Sequence, residues 1–177
     1  MPTTTYRLLA SGIALQCTVL LGLTWVQARA PIPPAPPAQA DRILVRKSTH
    51  TLVLYSHGAV LRTYQVALGR ASGAKQQQGD NRTPEGHYRI DAHNPHSAAH
   101  LSLHISYPNA ADRAAALAAH LQPGGDIMIH GLPNGFGYIG ELHRQTDWTY
   151  GCIAVTDHEM DEIYRLVPNG TPIDIEP

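Results

Sequence analysis

Cysteine is almost missing from this chain: Cys17 and Cys152 are the only two among 177 residues. Cys17 lies in an N-terminal apolar segment, so the globular part carries a single thiol with no intramolecular partner. That excludes a disulfide scaffold and makes Cys152 the residue to explain. Basic runs interleaved with aromatics are lacking too. From Asp41 onward 11 Lys and Arg stand against 14 Asp and Glu, a net charge of −3. Nucleic acid is therefore not an expected partner. Internal repeats are absent, which excludes solenoids and propellers. Histidine, by contrast, is plentiful at eleven, and several should charge below pH ~6.5.

Leu8 to Trp25 is mostly apolar, with Arg7 before it and Ala28-Arg29-Ala30 after it. Residues 1–30 thus read as an export signal. The apolar stretch is also close to the ~20 residues of a membrane span, so a retained anchor is the alternative, and membrane contact is expected through this segment alone. Gln16 stands where a lipoprotein site needs a small residue before Cys17. Each reading places the folded part outside the cytoplasm, in the periplasm. A free thiol kept in an oxidising compartment favours a chemical role. Residues 31–40 are proline-rich and read as a stiff linker. Residues 41–177 are enough for one domain with its own core.

The remaining pattern is mostly β with two helices. Strands are expected at 43–45, 51–55, 60–68, 87–91, 101–107, 126–129 and 171–175, largely antiparallel, with His57-Gly58 turning a hairpin. In the fifth, Leu101, Leu103, Ile105 and Tyr107 share one face, and His100, Ser102, His104 and Ser106 the other. An alanine-rich helix is expected over 112–121 and a short helical turn over 141–146. Thr156 to Glu159 fits a capping box before Met160, Ile163, Tyr164 and Val167 at helical spacing. The polar segment 69–82 reads as a mobile loop.

A thiol is only a few per cent ionised at neutral pH and needs a partner to act as a nucleophile. His130, at the end of an apolar run and before flexible Gly131, can be that general base. Gly151 allows close approach of a carbonyl, and the N–H groups of Tyr150, Gly151 and Cys152 can form an oxyanion hole. Thr149 can hold the loop through its hydroxyl. Trp148 reads as core packing or as a wall of the cleft. Arg82 reads as a partner of Asp80 or Glu85, or as a contact to a substrate carboxylate. His100 and Ser102 are candidates to line the substrate. His93, His96, His100 and His104 tempt a metal reading. Asn94-Pro95 breaks the helix that would align them, and on a strand His100 and His104 lie roughly 13 Å apart, too far to share an ion. No metal and no cofactor are expected.

Four segments carry a family resemblance. They are Gly79-Asp80-Asn81-Arg82-Thr83-Pro84-Glu85-Gly86-His87-Tyr88, the stretch from His100 to Asn109, Ile127-Met128-Ile129-His130-Gly131, and Thr149-Tyr150-Gly151-Cys152-Ile153. In this order they resemble the L,D-transpeptidase catalytic domain of YkuD type. The resemblance implies a β-sandwich-like fold and a cysteine acyl-enzyme formed with a peptidoglycan stem peptide. It implies Cys152 as nucleophile and His130 as base. It also implies acylation by carbapenems. Two positions depart from the family pattern: Tyr150 replaces a histidine and Ala154 replaces an arginine or asparagine. The form Trp-Thr-x-Gly-Cys-Ile-Ala-Val resembles a divergent branch. Expected, then, is a transpeptidase whose acceptor departs from the 3→3 pattern, for example toward a 1→3 link. The alternatives are an L,D-carboxypeptidase or amidase of the same fold, and, outside enzymes, a cell-wall binding module.

Overall fold

The computed structural model describes residues 1–2 and 38–177. The expected signal or anchor, and all of the proline-rich linker before residue 38, lie outside the described residues. Eight strands form one sheet: β1 (Arg42–Arg46), β2 (Thr51–Ser56), β3 (Ala59–Gln65), β4 (Gly86–Asn94), β5 (Ser102–Ile105), β6 (Met128–His130), β7 (Ile153–Ala154) and β8 (Pro172–Glu176). Their order is β3-β2-β1-β8-β4-β5-β6-β7. The mostly β architecture expected from the sequence is what forms.

The hairpin between β2 and β3 turns at His57 and Gly58, with φ of 51° and 79°. Two residues in this left-handed region match the twist of the flanking strands. The Asp41 carboxylate accepts from the His57 N–H at 2.6 Å, holding a side chain that the turn does not favour. β1 is buried along Ile43, Leu44 and Val45 because it is interior to the sheet, paired with β2 on one side and β8 on the other. The sheet is mainly antiparallel, as expected, with two parallel pairings, β1 with β8 and β6 with β7. A parallel neighbour needs a long crossover, and residues 131–152 supply it between β6 and β7.

β4 is longer than its alternation suggested. Its first half pairs with β8 and its second half with β5, with an irregularity between Ile90 and Ala92. Such a bulge bends a strand. The sheet curls so far that its two ends meet. Ala67, just past β3, bridges Ala154 of β7 through Ala67 N–H to Ala154 O (2.9 Å) and Ala154 N–H to Ala67 O (2.8 Å).

Helix α1 spans Ala110–Ala118, two residues earlier than expected at its start. Asn109 caps it, accepting from the N–H groups of Ala111 and Asp112, while Asp112 caps back onto Asn109 N–H. It ends early because His120 turns left-handed (φ 57°) and Leu121 N–H returns to Ala116 O. Helix α2 spans Asp157–Leu166 with the expected capping box of Thr156 and Glu159. Met160, Ile163 and Leu166 bury one face of it, and it packs against β5 and β6. A third helical piece, a 3₁₀ segment over Gly137–Gln145, is kinked at Gly140 (φ 52°) and replaces the single turn expected there.

Candidate active site

The parallel register pairs Ile129 with Ile153 and His130 with Ala154. Cys152 therefore enters β7 alongside Met128. Side chains alternate along each strand, so the register puts His130 on the same face as Cys152, one strand across and two residues further along. Two distant segments are thus brought together by sheet pairing.

His130 is buried, 8% exposed. Its Nδ1 lies 2.6 Å from the Gly131 carbonyl oxygen. A carbonyl only accepts, so Nδ1 carries the proton and Nε2 is the basic atom. Burial pushes the His130 pKa below its ordinary value, although the Gly131 carbonyl works the other way. The Cys152 thiol is half-buried and donates to Asp126 O at 3.6 Å. Burial pushes its pKa up; the Met128 N–H opposes this, Asp126 adds to it, and the Lys75 ammonium also opposes it. Both shifts favour the neutral forms, an unprotonated imidazole and a thiol.

The loop before the thiol is latched from within. The Thr149 hydroxyl donates to Cys152 O at 2.7 Å and accepts from Gly151 N–H at 3.1 Å. The Gly151 N–H is thereby engaged, which removes it from the three expected oxyanion donors and leaves those of Tyr150 and Cys152. Gly151 has φ 126°, and a Cβ there would stand 2.6 Å from Arg82 O. Only glycine combines that backbone with that approach. Gly131 is close-packed for another reason: a Cβ would meet Asp157 Oδ1 at 2.7 Å and His100 Cβ at 2.9 Å.

Trp148 touches both sides. Its ring meets His130 edge-on at 5.8 Å and His143 at 6.3 Å, and its Nε1 donates to His143 Nδ1 at 3.4 Å. It also walls a cavity of about 340 Å³ with Leu132, Pro133, Phe136, Ile139 and Leu142. His143 is 7% exposed, and burial lowers its pKa, with Arg144 acting the same way. Asp157, the first residue of α2, accepts from Leu132 N–H at 2.7 Å and so grips the loop after His130. Sequence reasoning missed both His143 and Asp157. The available signal was weak: a histidine five residues before Trp148, and an acidic first turn on a capped helix.

Several expected roles move. Ser102 pairs with His130 in the β5–β6 register and is fully buried, its hydroxyl without a partner. It backs the base and does not line a substrate surface. His100 is partly exposed and held by Asp161 at 2.7 Å. His93 meets Asn169 and His104 meets Asp91, so these histidines point to separate partners instead of converging. Arg82 pairs with neither Asp80 nor Glu85: Asp80 holds Lys75 (2.9 Å) and Glu85 holds Lys47 (2.6 Å). The Arg82 Nε is buried and unpartnered. Segment 69–82, read from sequence as a mobile loop, is organised around Asp80. That carboxylate accepts from Lys75 and from the N–H groups of Gln76, Gln77 and Arg82. Ala154, one of the two departures, is fully buried. Tyr150, the other, is 70% exposed.

The family model for the L,D-transpeptidase catalytic domain matches residues 40–175. The Escherichia coli (strain K12) protein named "Putative L,D-transpeptidase YafK" is 31% identical over 132 residues, 71% of this chain and 46% of its own length. The chain thus spans about half the length of the curated relatives it matches. Among solved structures, the helical cell shape determining protein Pgp2 from Campylobacter jejuni superposes with a TM-score of 0.58 at 24% identity, covering 78% of this chain and 49% of that one. An L,D-transpeptidase from Mycobacterium smegmatis superposes with 0.53 at 15% identity, covering 78% and 59%. Similar structures also include an avibactam carbamoyl enzyme and an L,D-transpeptidase in complex with imipenem. The curled sheet, the placement of His130 at the end of β6 and of Cys152 just before the neighbouring β7, and the match over residues 40–175 together place this chain in the L,D-transpeptidase catalytic domain family.

Proposed function

We propose that this domain is a cysteine acyltransferase acting on peptidoglycan stem peptides outside the cytoplasm. Cys152 Sγ attacks the carbonyl carbon of the third stem residue. His130 Nε2 takes the thiol proton and passes it to the nitrogen of the departing D-amino acid, which leaves as the C–N bond breaks. An acceptor amine then attacks the thioester, loses its proton through the same Nε2, and releases Cys152 as the thiol. The N–H groups of Tyr150 and Cys152 face the developing oxyanion in this reading, a term worth ~3 kcal/mol per donor. Family membership supplies the reaction class. The observation that carries the reading is the His130 Nδ1 to Gly131 O hydrogen bond, which leaves Nε2 unprotonated on the face that Cys152 shares.

The acceptor is expected to differ from the 3→3 pattern because Tyr150 stands beside the nucleophile in place of a histidine. Water in place of the amine would make the same centre an L,D-carboxypeptidase or amidase. Carbapenems are expected to acylate Cys152, a reading that family membership supports. Intact mass spectrometry after incubation with defined muropeptides tests all of this. A thioester adduct on Cys152 followed by a cross-linked product supports the transferase, and a shortened stem alone supports the hydrolase. No adduct and no product with any muropeptide would leave the cell-wall binding module as the surviving reading.

A further inference from the structure

Arg70 is tied to the nucleophile loop in three ways. Its N–H donates to Thr149 O at 3.1 Å, extending a short parallel ladder in which Thr149 N–H donates to Leu68 O at 3.1 Å. Its Nε donates to Trp148 O at 2.9 Å. Its guanidinium carbon stands 4.5 Å from the centroid of the Tyr150 ring, flat-on contact for a cation and an aromatic face. Trp148, Thr149 and Tyr150 are consecutive, and the thiol follows two residues later.

These contacts use one N–H of the guanidinium fork. Arg70 forms no ion pair among the described residues, and the acid nearest in sequence to its anchors, Asp147, is engaged by Leu68 N–H (2.7 Å) and His50 (3.0 Å). Arg70 and Tyr150 are both exposed. The Nη1 and Nη2 groups are therefore held in place, unpaired and open, above a ring that flanks Gly151-Cys152. A fixed, unpaired guanidinium edge is built for a carboxylate, which it binds through two parallel hydrogen bonds. Ala154, two residues after the cysteine, is fully buried and offers no polar group to substrate. Arg70 brings a positive charge to the nucleophile loop from the segment that follows β3.

We propose that Arg70, propped on Tyr150, is a carboxylate-binding site of this enzyme and sets its preference for an acidic stem peptide. This rests on the peptidoglycan reading above. Two carboxylates of a stem peptide lie on the residues that flank the attacked bond: the terminal one of the leaving D-amino acid and the side-chain one of a third-position diamino acid.

The test measures binding and turnover separately. Calorimetry in a Cys152→Ala background compares a disaccharide tetrapeptide with its C-terminal amide and with its side-chain amide. One amide should bind roughly 10- to 100-fold more weakly than the acid, which identifies the carboxylate. Arg70→Gln should abolish that discrimination by weakening the acid form alone, Arg70→Lys should restore part of it, and Tyr150→Leu should reduce it. In the enzyme with Cys152 intact, Arg70→Gln should lower kcat/KM for the acid and leave the matching amide unchanged. Equal binding of acid and both amides, or an equal loss for all three in Arg70→Gln, overturns the site and leaves the peptidoglycan reading standing. Binding of none of them by any variant overturns both.

Discussion

His130 donates its Nδ1 proton to the carbonyl of its own neighbour, Gly131, across 2.6 Å. A base fixed this way has one job left for Nε2. His130→Gln should lower the acylation rate by about 10²- to 10⁴-fold, the scale of a lost general base. Stopped-flow acylation by a carbapenem or a muropeptide measures it.

The pH dependence follows from the same burial. The His130 pKa lies below its ordinary 6.5. The acid limb of kcat/KM should therefore fall below pH 6.5 and vanish in His130→Gln. The unfolded chain takes up the proton first as pH drops, so this residue also lowers stability below about pH 6.5 and has no such effect above it. Denaturation midpoints of wild type and His130→Gln, compared at pH 7.5 and pH 5.5, should converge at the lower pH.

Cys152 should behave as a thiol at neutral pH. Its pKa is raised by burial, so alkylation by iodoacetamide should climb steadily above pH 8. A reactivity plateau between pH 6 and 8 would mean a preformed ion pair and would contradict the neutral resting state. Cys152→Ala should eliminate turnover while leaving the fold intact, as read by circular dichroism.

Thr149 is the latch. Thr149→Val leaves the buried Gly151 N–H without its acceptor, at a cost of about 1–3 kcal/mol. Thr149→Ser should recover most of the stability and the acylation rate. Gly151→Ala should cost as much or more, because φ of 126° is strained for alanine and the new Cβ meets Arg82 O.

The segment 69–82 is pinned by Asp80, whose pKa is lowered from 3.8 to about 2 against the opposing effect of burial, by Gln76 N–H, Lys75 and further backbone donors. A depressed carboxylate stabilises above its unfolded pKa and loses that contribution as pH falls through 4 toward 2. Asp80→Asn should destabilise by about 2 kcal/mol at pH 7, and the difference should shrink on acidification. Urea titrations at pH 7 and pH 3 give the two numbers.

Much of this was readable from the chain. The strands around Leu44, Leu52 and Ile129 announce themselves by apolar composition, and Thr156 with Glu159 announces α2. Cys152 stood out as the one thiol of the globular part, and His130 stood out among eleven histidines because it ends an apolar run just before Gly131. What stayed hidden depends on contacts between residues far apart. Asp157 reaches Leu132, and Arg70 reaches Tyr150, only once the strands are paired. Ser102 looked like a surface residue because alternation assigns a face but not what covers it. Ser102 pairs with His130 and is fully buried, so the face expected to be open is closed at that position.

The bridge between Ala67 and Ala154 has a consequence in time. It is the seam where the sheet's first and last strands in spatial order join, and the nucleophile sits two residues from it. Joining segments so distant in sequence carries a high entropic cost and comes slowly. Until that seam shuts, Thr149 has no ladder with Leu68, Arg70 has no ring to lie on, and β7, two residues long, has one neighbour instead of two. The thiol is present from synthesis onward, but the setting that positions it for catalysis is complete only where the two ends of the sheet meet.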